Sequence, residues 1–182
     1  MRIAIYGAGN GGKLWAEIAE ECGHEVACFI DDFKEGCVKL DEYNGGYPIA
    51  PAIFDNNVRL SVLNKHRLIR LVHRKAHIFR SAEIGIGTLI KPFVMVGART
   101  KVGRCCILDS NVTIEHDTNI EDGVFISVGS NIGSSVSIGE KTLIGIGCNI
   151  QTGVKIGKNC TICSGVTVLN DVSDNAIIKK LL

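Results

Sequence analysis

The chain has 182 residues, with 20 basic and 19 acidic side chains and a formal net charge of +1. This balance excludes a general electrostatic attraction to nucleic acid or to an anionic membrane surface, and the length allows one large domain or two small ones. The sequence has no apolar stretch of about 20 residues, so it predicts no membrane span. Arg2 is followed by a short strand pattern rather than by the apolar run of a signal peptide, so we expect a cytoplasmic protein.

The first predicted element is a strand over residues 2–6 that ends in a glycine-rich turn. Gly7, Gly9 and Gly12 match the pattern G-x-G-x-x-G, and an amphipathic helix is predicted over residues 13–22. Such a turn at a helix N-terminus lets backbone N–H groups approach a phosphate. A second predicted strand, residues 25–30, ends at Asp31 and Asp32, where an acidic side chain suits a ribose or sugar hydroxyl.

Three interpretations of this βαβ segment differ in their ligand. NAD fits the glycine pattern, but only about forty residues remain before the next architecture begins, too few for a complete dinucleotide fold. A mononucleotide or nucleotide-sugar site needs less chain, and a tight turn without a ligand needs none. We favour a nucleotide-sugar site in a small Rossmann-like α/β domain over residues 1–71.

The next feature is an aliphatic residue at every sixth position from residue 72 to residue 168. A period of six fits neither an α-helix nor a coiled coil, and it is the signature of a parallel β-helix. The alternative is a β-sandwich with accidental spacing, which so long an uninterrupted series disfavours. The series consists of Val72, Ile78, Ile84, Ile90, Val96, Val102, Leu108, Ile114, Ile120, Ile126, Ile132, Ile138, Ile144, Ile150, Ile156, Ile162 and Val168.

The fourth residue after each of these aliphatic residues is small or β-branched, and glycine is frequent just after the aliphatic one. Each hexad therefore predicts a short strand and a corner, with the aliphatic side chain inside and glycine supplying turn conformations that other residues resist. Three hexads per coil give a mainly β chain with a β-helix over residues 72–173 and a C-terminal tail over residues 174–182.

Two residue types in the repeat invite a chemical interpretation. Cys160 and Cys163 form a C-x-x-C pair, which is typical of a redox site or of half a zinc site, but Cys160 occupies the small inward position of its hexad. We therefore expect no metal.

His116 lies two residues after an inward isoleucine and should point outward, between Glu115 and Asp117. A histidine flanked by carboxylates is held in one tautomer and becomes a better base, whereas the alternative is a solvated surface histidine.

The order of these segments resembles the bacterial sialic acid O-acetyltransferase and UDP-4-amino-sugar N-acetyltransferase family. The resemblance spans nearly the whole chain, and the glycine-rich domain joined to the Glu-His-acid motif is far more specific than the hexads alone. The matching segments are residues 5–12 (IYGAGNGG), 29–34 (FIDDFK), Asp55-Asn56 with Arg59, 89–94 (LIKPFV), 114–117 (IEHD) and 127–129 (SVG).

The resemblance implies a left-handed β-helix assembled as a homotrimer, with active sites at the seams between subunits. It also implies acetyl-CoA as the acetyl donor and a UDP- or dTDP-linked amino sugar held by the N-terminal domain. His116 is then the catalytic base, Asp117 orients it, and Glu115 fills the preceding acidic position. The implied substrate-binding residues are Gly9, Asn10, Gly11, Asp31, Asp32, Lys34, Asn56 and Asp109.

The resemblance places the coenzyme next to Phe125, Ser134, Gly145 and Ile146. Phe125 stands where the family has a second histidine near the acetyl group, and Ser134 stands where it has a glycine beside coenzyme A. The sequence therefore predicts an acetyltransferase that acts on the amine of a nucleotide-linked 4-amino-sugar for surface glycan synthesis. The alternatives are an O-acetyltransferase of a sialic-acid-type sugar and a trimeric relative without turnover.

Overall fold

The computed structural model describes residues 1–179 and contains a small α/β unit followed by a parallel β-helix. Every pair of neighbouring strands is parallel, and the β-helix strands lie in three sheets of seven, six and five strands. The predicted fold class, a mainly β chain in which a β-helix of hexapeptide repeats follows a small Rossmann-like domain, is therefore confirmed. Among residues 1–179, no helix has the length and apolar character needed to cross a membrane.

The α/β unit is built on a three-stranded sheet in the order β2-β1-β3. Its elements are β1 (Arg2–Tyr6), α1 (Asn10–Glu21), β2 (Glu25–Ile30), β3 (Ile49–Pro51) and α2 (Asn56–Ser61). Because the central strand β1 comes first in the chain, its neighbours lie on opposite sides and leave a crevice at its carboxyl end. Helix α1 begins at Asn10, three residues earlier than predicted, because Gly9 is the N-cap and the glycine-rich turn forms the first helical turn.

The β-helix strands are two residues long and recur every six residues, as the hexads predict. The seven-stranded sheet contains β4 (Leu71–Val72), β7 (Leu89–Ile90), β10 (Ile107–Leu108), β13 (Phe125–Ile126), β16 (Leu143–Ile144), β19 (Thr161–Ile162) and β21 (Ile177–Ile178). The six-stranded sheet contains β5 (His77–Ile78), β8 (Met95–Val96), β11 (Thr113–Ile114), β14 (Asn131–Ile132), β17 (Asn149–Ile150) and β20 (Thr167–Val168). The five-stranded sheet contains β6 (Glu83–Ile84), β9 (Lys101–Val102), β12 (Asn119–Ile120), β15 (Ser137–Ile138) and β18 (Lys155–Ile156).

The interior of the β-helix is a continuous aliphatic column in which the second residue of each strand is stacked on its counterpart one coil away. Hydroxyl side chains at the small inward position join the coils. The hydroxyl of Thr118, for example, donates to the carbonyl of Gly133 at 3.0 Å and accepts the N–H of Val136 at 3.2 Å. Each of these hydroxyls is thus fully paired although it is buried. The same pattern occurs at Thr88, Thr100, Ser130 and Thr142.

The period of six changes once, near the end of the β-helix. Val172 pairs with Ile156, so it takes the strand position that the period assigns to residue 174. At this shortened corner the side chain of Asp171 accepts the N–H of Lys155 at 2.8 Å, so this backbone N–H keeps a hydrogen-bond partner. The period then resumes, and Ile177–Ile178 pairs with β19 inside the segment predicted as a C-terminal tail. Residues 180–182 of that predicted tail lie outside the described residues.

The α/β unit packs on the outer face of the seven-stranded sheet. Trp15 and Ile18 of α1 belong to one buried cluster with Leu89, Ile107 and Phe125 of the β-helix. This junction explains why the first residue of those three strands is buried although it points away from the β-helix interior. It also fixes the position of the glycine-rich turn relative to the coils.

The side chain of Arg59 in α2 reinforces the junction from within. It is fully buried, and all five of its N–H donors are used. Two of its acceptors, the carbonyls of Cys105 and Gly123, occupy the same corner of successive coils, at 2.6 and 2.8 Å. Burial lowers the pKa of Arg59 to about 10, and the five hydrogen bonds offset the cost of removing the guanidinium from water.

Candidate functional site

His116 lies on an exposed corner that follows strand β11. Its Nδ1 is 2.7 Å from the Oδ2 of Asp117, and half of its side chain is exposed, at 52%. A carboxylate only accepts hydrogen bonds, so the neutral ring carries its proton on Nδ1 and leaves the lone pair of Nε2 for another group. The geometry therefore gives His116 the tautomer that a general base needs.

Asp117 is in turn held by Arg99, which occupies the equivalent corner one coil earlier. The Nε and Nη2 atoms of Arg99 lie 2.7 Å from the two carboxylate oxygens of Asp117. The hydrogen bonds from Arg99, and then the one from His116, hold the pKa of Asp117 well below its usual range. Asp117 therefore stays ionised at any pH at which His116 can act as a base.

His116 opens onto a cleft of about 440 Å³, which we call the His116 cleft. Its wall combines apolar side chains with charged ones. The backbone of Gly97 passes directly beneath His116, where a Cβ would lie 2.6 Å from the backbone nitrogen of His116. The cleft is lined by Phe79, Met95, Gly97, Ala98, Arg99, Glu115 and His116.

A second cleft, of about 320 Å³, lies at the carboxyl end of β1 in the α/β unit. We call it the glycine cleft; the start of α1 borders it, and no side chain caps the first N–H groups of that helix. A Cβ on Gly9 or Gly11 would meet nothing within 4 Å, so both residues face open space. The glycine cleft is lined by Tyr6, Gly7, Gly9, Gly11, Gly12, Asp31, Asp32, Ala52, Ile53 and Phe54.

The predicted acidic pair at the end of β2 shapes the rim of the glycine cleft. Asp31 accepts the N–H of Ala8 at 2.9 Å, and this bond is the main cause of its lowered pKa. Asp32 accepts the hydroxyl of Tyr6 at 3.0 Å, and burial together with this bond raises the pKa of Tyr6 to about 12. Lys34 closes the turn, because its Nζ lies 2.5 Å from the carbonyl oxygen of Ala8.

Gly12 has a structural function that differs from that of Gly9 and Gly11. A Cβ at Gly12 would lie 1.8 Å from the carbonyl oxygen of Gly7, so this glycine lets α1 pack against the end of β1. Asn10, which the sequence places in the site, is the first residue of α1 and is exposed beside the glycine cleft. Gly12 thus serves packing, whereas Gly9 and Gly11 border open space at the start of the helix.

Asn56 and Asp109, both predicted to bind substrate, lie at the junction between the α/β unit and the β-helix. The amide of Asn56 donates to the carbonyl of Lys141 at 2.8 Å and accepts a hydrogen bond from Arg59. Asp109 forms an ion pair with Lys91, in which both side chains are mostly buried. The Nζ of Lys91 lies 5.6 Å from the ring centre of Trp15, so this ion pair contacts helix α1.

The residues predicted to bind the coenzyme fall on different parts of the β-helix. Ser134 lies one coil after His116 on the same corner, where its hydroxyl is 3.4 Å from that of Thr152. Gly145 and Ile146 follow β16 on the neighbouring corner, and the side chain of Ile146 is exposed. Phe125 instead belongs to the junction cluster, with its ring 4.9 Å from that of Phe54.

Within one chain the two clefts do not meet. The residues that line the His116 cleft and those that line the glycine cleft share no member. His116 follows a strand of the six-stranded sheet, whereas the α/β unit covers the seven-stranded sheet. A small molecule held in the glycine cleft therefore faces a different side of the β-helix from the base of its own chain.

No group of three or more His, Cys, Asp or Glu side chains in the described part of the chain is arranged to hold a metal ion. Cys160 is buried in the interior of the β-helix, and its Sγ donates to the carbonyl of Ser173 at 3.1 Å. Cys163 is half-buried and packs against the same interior. The C-x-x-C pair thus contributes to packing between coils.

The sequence assigned no function to two arginines that make important contacts in the structure, Arg99 at Asp117 and Arg59 at the junction. Arg99 lies 18 residues before Asp117, which is the length of one coil, so a search for opposite charges at that spacing would have found it. Arg59 stood in a recognised motif but received no function, because nothing in the local sequence shows that it is buried. The interpretation of the acid-base corner thus changes from a His-acid pair to a three-residue chain.

Two family models match separate parts of the chain. The PglD N-terminal domain matches residues 2–66, which include the glycine cleft. The bacterial transferase hexapeptide repeat matches residues 135–170, within the β-helix. These two matches correspond to the two parts of the fold and to the architecture that the sequence predicts.

Characterised proteins and solved structures share both parts. The GDP-perosamine N-acetyltransferase of Escherichia coli O157:H7 is 28% identical over 157 residues, which cover 74% of this chain and 71% of that protein. The acetyltransferase domain of PglB from Neisseria gonorrhoeae FA1090, solved in complex with acetyl coenzyme A, has a TM-score of 0.88 and 25% identity, covering 97% of this chain and 94% of that one. PerB from Caulobacter crescentus, solved with CoA and GDP-perosamine, has a TM-score of 0.89 and 24% identity over 97% and 93% of the two chains, which shows the shared fold.

Proposed function

Because this chain belongs to the bacterial hexapeptide-repeat acyltransferases, we propose that it transfers the acetyl group of acetyl-CoA to the amine of a nucleotide-linked 4-amino-sugar, with His116 as the general base. The observation that carries this proposal is the 2.7 Å contact between the Nδ1 of His116 and the ionised Asp117. It leaves Nε2 as a proton acceptor on the edge of a cleft. The relatives that N-acetylate a nucleotide amino sugar support the same reaction class.

In the proposed reaction, the amine of the sugar attacks the thioester carbonyl of acetyl-CoA while the Nε2 of His116 removes a proton from the amine. The C–S bond then breaks, the departing sulfur takes the proton back from the imidazolium of His116, and coenzyme A leaves as the thiol with the base restored. Both substrates are bound together, so no covalent enzyme intermediate is needed and proximity supplies much of the acceleration. Asp117 stabilises the imidazolium that forms on His116.

The glycine cleft is the proposed site of the nucleotide. The uncapped N-terminus of α1, with Gly9, Asn10 and Gly11, suits the diphosphate, because backbone N–H groups and the helix dipole favour negative charge there. Asp31, Asp32 and Lys34 form the rim next to the sugar or ribose. We assign Asn56 and Asp109 a supporting function, since their polar groups are engaged at the junction.

The proposed assembly is a homotrimer with the active sites at its seams. The separation of the His116 cleft from the glycine cleft within one chain supports it, since a neighbouring chain would supply the missing half. Ser134 on one corner and Gly145 with Ile146 on the next would then contact one coenzyme from two subunits. Phe125 would border the sugar from the junction side, next to Phe54. The compartment in which the trimer works is proposed to be the cytoplasm.

The test is release of free thiol from acetyl-CoA with a panel of UDP-, dTDP- and GDP-linked 4-amino-sugars. Matched acceptors that carry a 4-hydroxyl in place of the amine, together with sialic acids, separate N-acetylation from O-acetylation. We expect turnover only with an amine acceptor, and the panel then identifies the nucleotide. Turnover with sialic acid alone would replace the proposal with O-acetylation, and a folded protein that neither turns over nor binds coenzyme A would contradict it.

A further inference from the structure

We propose that Arg99 is a positioning residue that fixes the direction of the His116 base through Asp117. This inference rests on the proposed function in that His116 is the base, and it concerns a residue outside the predicted site. Two features carry it: the stacking of the two corners and the geometry of the ion pair.

The two corners are held in the same backbone conformation. Arg99 and Asp117 have φ angles of 58° and 59°, in the left-handed region that side-chain-bearing residues seldom adopt. Each is fixed by a backbone hydrogen bond, from the N–H of Arg99 to the hydroxyl of Ser81 at 3.1 Å and from the N–H of Asp117 to the carbonyl of Ala98 at 3.0 Å. The coils thus set Arg99 directly beside Asp117, and no loop motion is needed to bring them together.

The ion pair fixes the plane of the carboxylate. A carboxyl group on an exposed corner rotates freely about its last torsion, because that torsion has no sharp minima. The guanidinium of Arg99 donates to both oxygens at 2.7 Å, in the bidentate geometry that gives direction as well as attraction. The Oδ2 atom of Asp117 is therefore kept 2.7 Å from the Nδ1 of His116, and the ring keeps the orientation in which it lines the His116 cleft.

Two substitutions of Arg99 separate direction from charge. Arg99→Lys keeps the positive charge but loses the bidentate geometry, and Arg99→Met loses both. The matched control is Arg104→Met. The Nη2 and Nε atoms of Arg104 lie 2.6 and 2.9 Å from the Oδ2 of Asp122, which follows Arg104 by one coil on a corner without histidine. The side chains of Arg99 and Arg104 are 63% and 49% exposed, so we expect all three variants to fold.

Two readouts are measured on the full-length protein. The first is the separate measurement of kcat and KM with the acceptor that the panel identifies. The second is the set of nitrogen chemical shifts of the neutral His116 ring in ¹⁵N-histidine-labelled protein, assigned through His116→Gln, which reports how much of the ring is protonated on Nδ1. The second readout needs no turnover, so it tests Arg99 even if the proposed reaction fails.

For Arg99→Met and Arg99→Lys we expect kcat to fall about tenfold with little change in KM, because the base loses its orientation while both substrates still bind. We expect a smaller Nδ1-protonated fraction in both variants, since the bidentate geometry and not the charge alone holds Asp117. The inference is overturned if Arg99→Met changes neither kcat nor the nitrogen shifts, if Arg99→Lys behaves like the wild type, or if Arg104→Met changes them equally.

Discussion

The imidazole of His116 is fixed at one nitrogen and open at the other, and this asymmetry comes from its two neighbours in space. Asp117 occupies Nδ1 at 2.7 Å, and Arg99 holds Asp117 from the coil before. The side chain of His116 makes no contribution to the interior of the β-helix, since it lies on an exposed corner. Catalysis and stability are therefore separable at this position.

We predict that His116→Ala lowers acetyl transfer about a hundredfold or more, because removal of a general base costs at least that much. The measurement is thiol release under the conditions of the acceptor panel. Light scattering should show the same assembly for the variant and the wild type. The control is His77→Ala, which removes an exposed histidine near the start of the β-helix. Turnover close to that of the wild type in His116→Ala would rule out the assignment of the base.

The glycines at the start of α1 give a second prediction, because they differ in what surrounds them. We expect Gly12→Ala to reduce the free energy of unfolding by about 1–3 kcal/mol, since the added Cβ overlaps the Gly7 carbonyl. We expect Gly9→Asp to keep the fold, because an aspartate at an N-cap stabilises a helix. Its carboxylate should nevertheless repel a diphosphate from the same N–H groups.

Chemical denaturation measures the free energy of unfolding of Gly12→Ala, and titration with the nucleotide sugar measures the affinity of Gly9→Asp. A stable Gly12→Ala protein would mean that α1 moves away from β1 without cost. A Gly9→Asp protein that binds the nucleotide sugar like the wild type would place the diphosphate elsewhere. Only the combination of a folded protein and lost binding supports the glycine cleft as the nucleotide site.

At the level of elements, the coils are held together by two kinds of inward side chain. The aliphatic residue of each hexad supplies apolar burial, and a threonine or serine at the small position supplies hydrogen bonds between neighbouring coils. A strand of two residues forms few backbone bonds, so each of these side-chain bonds is a sizeable part of what joins two coils. Where the small position carries threonine or serine, the polarity of the side chain therefore matters as well as its size.

We predict that Thr118→Val destabilises the protein by about 1–3 kcal/mol although valine is more apolar and nearly isosteric with threonine. The substitution leaves the N–H of Val136 and the carbonyl of Gly133 without their buried partner, and such groups retain their full desolvation cost. The measurement is the free energy of unfolding in urea, with Thr167→Val on the exposed face as the control. An equal or higher stability of Thr118→Val would show that apolar packing alone holds the coils.

At the level of the whole molecule, the two clefts become one site only if a second chain contributes. The α/β unit covers the seven-stranded sheet, and His116 lies beyond the six-stranded one. A homotrimer would bring the glycine cleft of one chain towards the His116 cleft of the next. The same arrangement would explain why Ser134, Gly145 and Ile146, which we propose to bind the coenzyme, occupy two corners.

Mixed trimers test this arrangement. Subunits with His116→Ala and subunits with Gly9→Asp are each expected to be inactive alone. After co-refolding in equal amounts, about one quarter of the seams should pair an intact base with an intact nucleotide site from two different chains. We therefore expect thiol release at about one quarter of the wild-type specific activity. A mixture as inactive as its parents would mean that each site is built from one chain.

The sequence by itself determined the architecture of this protein. A period of six residues is a local property, because each hexad forms its own strand and corner, and the stacking of identical hexads then leaves little choice of fold. The glycine-rich turn and the Glu-His-acid motif were found for the same reason, since their residues are neighbours in the chain. The family and the acetyltransferase reaction followed from these local signals.

The tertiary structure alone decided which side chains meet across the junction and which residues one coil apart are in contact. Arg99 and Asp117 are 18 residues apart, and they touch because one coil separates them. Asn56 and Phe125 are engaged where the α/β unit packs on the β-helix, which no periodicity predicts. The physical reason is that contacts between coils and between elements depend on how complete elements pack, whereas a motif specifies only the residues that follow one another.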